Sequence, residues 1–112
     1  MNKSEVGYLL LMIIANIDHE YHAKEKEIVN NFLGEFLPPV ENREKLDSIL
    51  ATYKEIDLEY HFEILAAAFY GLTDEEDRKH FIEYSLQLIQ ADEHLTVEEN
   101  KYVSRLFQLW DY

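Results

Sequence analysis

Carboxylates recur at one spacing in two distant parts of this sequence. Asp18 stands seven residues before Glu25, and Asp92 stands seven residues before Glu99. Carboxylate oxygens are the ligands that hard cations such as calcium and magnesium prefer, with backbone carbonyls and water completing the shell. The four acids therefore form a candidate site for a divalent cation, and no other cofactor is indicated.

The same acids also have a purely structural interpretation. Asp18 and Asp92 can end a helix and hydrogen-bond loop amides, while Glu25 and Glu99 can cap amides at the third position of the next helix. The helix dipole favours an acid in a first turn by about 0.3 to 1 kcal/mol. The spacing is not that of an EF-hand, because the Asp-to-Glu span is eight residues and the turn glycine is missing. Cation binding and helix capping therefore remain alternatives.

Both segments belong to an internal repeat with an offset of 74 residues, which superimposes the carboxylates. The offset also superimposes apolar residues at helical spacing: Val29 on Val103, Phe32 on Leu106, Leu33 on Phe107 and Phe36 on Trp110. Because core positions and carboxylates match together, we interpret each copy as one helix-loop-helix unit.

The apolar pattern that must position these acids is helical throughout. Only three Gly and two Pro occur in 112 residues, and apolar residues recur at helical spacing. The sequence predicts an all-α fold, a single compact bundle of about six to seven helices that spans residues 1–112 as one domain. We expect a first helix capped by Ser4 and ending near Asp18, central in the bundle because all its faces are apolar.

Breaks and caps delimit the other predicted helices. The second begins near residue 22 and stops before Pro38–Pro39, and the third and fourth cover about residues 40–53 and 58–70. The alanines at 66–68 predict a close helix approach. We expect Gly71 to end the fourth helix. Thr73 with Glu76 is a capping box that predicts a fifth helix through about residue 91. Thr96 with Glu99 is a second capping box, and it precedes a last helix in which we expect Trp110 to be buried.

Composition restricts the partners and the compartment. The chain carries 23 Asp and Glu against 10 Lys and Arg, a formal net charge of -13. This charge repels nucleic acid and anionic membrane surfaces, and it attracts divalent metal or a basic protein partner. We expect a cytoplasmic protein, because cysteine is absent and the apolar run 8–15 is too short to span a bilayer and lacks the flanks of a signal peptide.

Motifs of catalysis are missing from the sequence. It contains no cysteine nucleophile, glycine-rich phosphate loop, nucleophile elbow or HExxH motif. Glu59 and Glu63 flank His61 at one-turn spacing, a layout typical of a solvated helix face. We expect surface positions for the histidines, which are His19, His22, His61, His80 and His94. The sequence thus predicts a protein that is not an enzyme.

The segments 14–25 and 88–99 resemble the tellurite-resistance TerB-like proteins, whose halves each carry an alanine-aspartate-glycine loop followed by a glutamate in the next helix. By position, the motif acids are Asp18, Glu25, Asp92 and Glu99. His19 and Glu93 replace the glycine, and His22 replaces the usual Ser or Thr cap.

This resemblance implies a bacterial, all-helical bundle with pseudo-twofold halves. It also implies acidic loops proposed to bind metal cations and a link to tellurite or another stress. The acidic surface supports an alternative function, that of a non-enzymatic adaptor for protein-protein interaction.

Overall fold

Six α-helices and one 3₁₀ turn form the part of the chain that a computed structural model describes, namely residues 1–15, 23–35, 43–91 and 97–111. The elements are α1 (Lys3–Ala15), α2 (Ala23–Glu35), α3 (Arg43–Thr52), the 3₁₀ turn (Glu55–Asp57), α4 (Leu58–Leu72), α5 (Glu75–Ala91) and α6 (Val97–Leu109). Within these ranges no strand occurs, so the prediction of an all-α fold is confirmed. None of the described helices is long and apolar enough to cross a membrane.

Helix α1 lies at the centre of the bundle. Every residue from Val6 to Ala15 is buried, and α1 contacts each of the other five helices. A helix that is apolar on all faces is stable only when neighbours surround it, and full burial of one large aliphatic side chain stabilises the fold by about 1.5 to 3 kcal/mol. The prediction of a central first helix is confirmed.

The start of α1 differs from the prediction. Ser4 lies inside the helix and is fully buried. Asn2 is the capping residue, because its Oδ1 accepts a hydrogen bond from the Glu5 amide at 2.9 Å, and the Asn2 amide donates to Glu5 Oε1 at 2.9 Å. Asn and Ser are both good caps, and the glutamate three residues after Asn2 completes the reciprocal pair.

The junction of α4 and α5 also corrects two predictions. Gly71 does not end α4, because the helix continues through Leu72. The Thr73 hydroxyl donates to the Phe69 carbonyl at 2.6 Å and so serves the end of α4. Asp74 starts α5 instead, since its Oδ1 accepts from the Asp77 amide at 2.8 Å. A carboxylate is a strong N-cap, and the threonine hydroxyl is already engaged by the preceding helix.

The C-terminal aromatic side chain joins α4 to the end of α6. Trp110 is 4% exposed, and its Nε1 donates to the Ala66 carbonyl at 2.9 Å. Its ring stacks on Phe69 with 5.4 Å between centroids. The predicted burial of Trp110 is confirmed. The prediction of a close helix approach at alanines 66–68 is supported only at Ala66, which is buried, whereas Ala67 and Ala68 are exposed. Three consecutive helical residues span about 200° and cannot share one face.

The repeat is present in the helices themselves. Helices α2 and α6 each contain 13 residues, and their first and last residues differ by 74. Val29 and Val103 are both 1% exposed, and Phe32 and Leu106 are equally buried. Contacts join α1 to both α2 and α6, and α5 to the same two helices. The contact pattern is therefore unchanged when the halves are exchanged.

Candidate functional site

Of the four predicted site acids, Glu25 is the one whose side chain the structure describes. It is the third residue of α2 and is only 2% exposed. Glu99 is the third residue of α6, as the prediction required, but its side chain lies outside the described part. Asp18 and Asp92 also lie outside it, so the grouping of the four carboxylates stays a prediction.

The burial of Glu25 was not predicted, because the sequence pattern was interpreted only as a helix cap or a cation ligand. The signal was available, because Val29 and Phe32 follow Glu25 at i+4 and i+7 and therefore lie on the same helix face. That face is the buried one, with Val29 and Phe32 each 1% exposed. Glu99 precedes Val103 and Leu106 at the same spacings. The sequence repeat therefore predicts the same buried position for Glu99.

Helices α1 and α5 both pack against the two helices of the repeat. Each of them contacts both α2 and α6, so the two helices that carry Glu25 and Glu99 pack on the same central pair. Among the described side chains, no group of three or more His, Asp or Glu residues is arranged to hold a metal ion.

A groove of about 430 Å³ lies between α4 and α6. Its walls carry two ion pairs: Lys101 Nζ lies 3.2 Å from Glu59 Oε2, and Arg105 Nη2 lies 2.7 Å from Glu63 Oε1. All four side chains are at least one third exposed. Glu59 and Glu63 therefore belong to an ion-paired, solvated edge, as their spacing predicted. The two basic partners were not predicted, although Lys101 and Arg105 repeat the same four-residue step.

Two histidines lie within the described residues. His80 of α5 is placed between Glu76 and Glu83, with nitrogen-oxygen distances of 3.7 and 3.6 Å. His61 stacks on Tyr53 with 4.1 Å between ring centroids. Both are partly exposed, which agrees with the prediction of surface histidines. The predictions for His19, His22 and His94, like those for Pro38–Pro39, Phe36 and Thr96, lie outside the described part of the chain.

Tyr53 is the first residue after the end of α3 and packs against the core. Burial removes water from its hydroxyl and raises the pKa of Tyr53 above the ordinary value of 10.0. The phenol is therefore neutral at physiological pH and serves as a flat surface for the His61 ring.

Comparison with known proteins gives one family. The family model described as tellurite resistance protein TerB matches residues 6–111. Neither the curated proteins nor the solved structures yield a match. The matched range contains all six helices apart from the first three residues of α1, and its two motif segments carry the repeated carboxylates. On this evidence the chain belongs to the TerB family of tellurite resistance proteins.

Proposed function

We propose that this TerB-family protein binds a divalent, oxygen-preferring cation, calcium or magnesium, through Asp18, Glu25, Asp92 and Glu99. The observation that carries the proposal is the burial of Glu25 at the start of α2. A carboxylate withdrawn from water is retained only where donors or a cationic charge compensate it. Amide groups at a helix start can act as such donors, and a cation shared with Asp18 would supply the charge.

The repeat strengthens this proposal. Glu99 occupies the same helical position as Glu25, and an aspartate precedes each glutamate by seven residues. Four carboxylates from two halves suit a hard cation, whereas the absence of cysteine leaves no thiolate for a soft one. The net charge of -13 raises the local concentration of cations.

The proposal describes binding rather than catalysis. Its support is the sequence itself, which offers no cysteine nucleophile and no phosphate-binding loop. We place the protein in the bacterial cytoplasm, where a cysteine-free composition is ordinary. The family description is what suggests a role in resistance to tellurite or another stress. We propose that the protein contributes to that role by binding a cation.

Thermal unfolding of chelator-treated protein tests the proposal. A cation at 100 times its Kd stabilises the folded state by about 2.7 kcal/mol, which corresponds to a rise in Tm on the order of 10 °C for a domain of this size. We expect this rise with millimolar calcium or magnesium, and none with a monovalent salt at the same ionic strength.

A pair of double variants assigns the response to residues. Asp92→Asn with Glu99→Gln should abolish the rise in Tm. The control, Glu76→Gln with Glu83→Gln, removes an equal number of negative charges from the exposed face of α5. Its Tm should rise with the cation as the parent's does. If the Asp92 and Glu99 variant keeps the full response, these acids do not bind the cation.

The start of α5 favours a second candidate function, an adaptor for a basic protein surface. Asp74, Glu75 and Glu76 are consecutive and all exposed, and Glu83 extends the acidic face by two turns. Such a contact would be salt-sensitive, because exposed charges are screened within about 10 Å at 0.1 M salt. Pull-down from a bacterial lysate tests it: recovery of nothing at low salt, or equal recovery by a Glu75→Gln, Glu76→Gln variant, contradicts the adaptor.

A further inference from the structure

The outward face of α4 is apolar along its whole length. We define the α4 stripe as Ile56 of the 3₁₀ turn together with Tyr60, Ile64, Ala67 and Gly71 of α4, all of which are exposed. The exposed fractions of its three large side chains are 88%, 64% and 49% in chain order. At about 100° per residue, the four positions in α4 fall within an arc of about 60°, and Ile56 lies in the turn that leads directly into the helix. The structure describes every residue of α4, and none that falls within this arc is charged.

This stripe differs from the other outward faces of the bundle. The exposed face of α5 carries Glu75, Glu76, Lys79 and Glu83, and α2 exposes Lys24, Lys26 and Glu27. In a chain with a net charge of -13, an uninterrupted apolar stripe indicates a contact surface, because scattered single apolar residues are normal but aligned ones are not.

We propose that the α4 stripe binds the α4 stripe of a second copy of the chain, with the two helices antiparallel about a twofold axis near Ile64. The large residues Ile56 and Tyr60 lie in the first half of the stripe, and the small residues Ala67 and Gly71 lie in the second half. Antiparallel pairing about a point midway between residues 63 and 64 places Ile56 opposite Gly71 and Tyr60 opposite Ala67. Small residues allow two helices to approach closely, so large side chains pack over small ones along the whole contact.

The edge of the stripe has the charge balance that a second copy requires. Glu59 pairs with Lys101 and Glu63 pairs with Arg105, so the edge carries two negative and two positive charges. A twofold axis brings this edge against the same edge of the other copy. Along this edge, two chains that repel each other elsewhere therefore meet where their formal charges cancel.

The size of the stripe sets the strength of the contact. Residues 56–72 span about 25 Å. A contact between two such segments and their charged edges would bury less than about 1,200 Å² of surface in total, which is small for a specific interface. The expected product is a reversible dimer in equilibrium with monomer. The dimer does not depend on cation binding and goes beyond the function proposed above.

Mass in solution is the first test. Sedimentation equilibrium of the full chain over a wide concentration range should show a rise from 13.4 kDa towards twice that mass. Ala67→Glu places a charge within the exposed stripe, opposite Tyr60 of the other copy, and should weaken the dimer at least tenfold. Gln87→Glu adds the same charge on the exposed face of α5 and should leave the dimer intact. A monomeric mass at all concentrations, or an unchanged dimer in Ala67→Glu, overturns the proposal.

Cysteine cross-linking tests the antiparallel register. The chain contains no cysteine, so each introduced thiol reports one position. Ile64→Cys should form an intermolecular disulfide under mild oxidation. Ile56→Cys mixed with Gly71→Cys should give the mixed dimer, while Ile56→Cys alone should not, because its two copies would lie about 22 Å apart. A Cβ at Gly71 meets no neighbour within 4 Å, so this substitution fits the fold. Cross-linking of Ile56→Cys to itself without the mixed product contradicts the register.

Salt distinguishes self-association from docking of a basic partner. Screening shortens the range of repulsion between two chains of -13, so the dimer should strengthen between about 10 mM and 150 mM salt. Stripe-dependent binding of a different protein by a chain that stays monomeric would assign the stripe to that protein and overturn the proposal.

Discussion

Lys3 contacts the residue that is its own equivalent in the other half of the chain. Its Nζ lies 3.1 Å from Asp77 Oδ2, and the two positions differ by 74 residues, the offset that relates the halves. A residue that touches its equivalent must lie close to the axis relating the two copies. Since α1 and α5 also contact each other directly, this ion pair marks the point where the halves meet.

The Lys3–Asp77 pair should contribute modestly to stability. A double-mutant cycle with Lys3→Ala and Asp77→Asn should give a coupling of about 0.5 kcal/mol at low salt, because the two side chains are 32% and 18% exposed. Denaturation in urea measures it, and repetition at 1 M salt should remove most of the coupling. A coupling of zero at low salt would show that the contact stabilises nothing.

Asp74, rather than Thr73, should behave as the cap of α5. Asp74→Ala should lower the free energy of unfolding by about 1 kcal/mol, because the Asp77 amide loses its acceptor. Thr73→Ala should cost less, since it removes a part-buried hydrogen bond to a carbonyl of α4. Urea titrations of both variants measure the difference, and the reverse order of costs would contradict the assignment.

Trp110→Phe should destabilise the fold by about 1 to 3 kcal/mol. The change removes the hydrogen bond to the Ala66 carbonyl and part of the stacking on Phe69. Leu109→Ala is the control, because Leu109 is 38% exposed and should change stability by about 0.5 kcal/mol or less. Circular dichroism must follow the unfolding, since Trp110 is the single tryptophan. Equal stability of the two variants would refute this role.

Tyr53 should make the fold sensitive to alkaline pH. Its pKa is raised by burial, so the folded state holds the phenolic proton more tightly than the unfolded chain does. The resulting stability is fully present below pH 10 and is lost as the pH rises through the raised value. In Tyr53→Phe, stability should therefore fall less steeply above pH 10. Parallel slopes of unfolding free energy against pH in both proteins would contradict the prediction.

The helical elements were predictable because the apolar spacing of this chain is regular. The central position of α1 follows from its unbroken apolar sequence, and the burial of Val29 and Val103 follows from the repeat. The helical pattern depends on side chains within one or two turns of each other, and the repeat is a direct match of two segments. Both can be recognised in the sequence without a structure.

Helix ends were less predictable, because several residues compete for the same backbone groups. Asn2 and Asp74 capped helices for which Ser4 and Thr73 were expected. Gly71 stays helical, since α4 continues to Leu72. Each outcome depends on which acceptor is nearest in three dimensions.

In the candidate site as well, local features could be predicted from the sequence and tertiary contacts could not. The third-position glutamates were predictable from the capping pattern, and the burial of Glu25 was predictable from its step to Val29. The partners of Glu59 and Glu63 were not, because the packing of α6 on α4 joins residues 42 positions apart.

The burial of α1 by all the other helices has a consequence for synthesis on the ribosome. The most completely buried of these helices is translated before the others, but α4 and α6, which cover it, emerge 43 or more residues later. A nascent chain therefore carries an uncovered α1 until nearly all of the sequence has been translated. Stalled or shortened chains that end before α6 should be targets for chaperones and proteases, because the final packing step cannot begin without it.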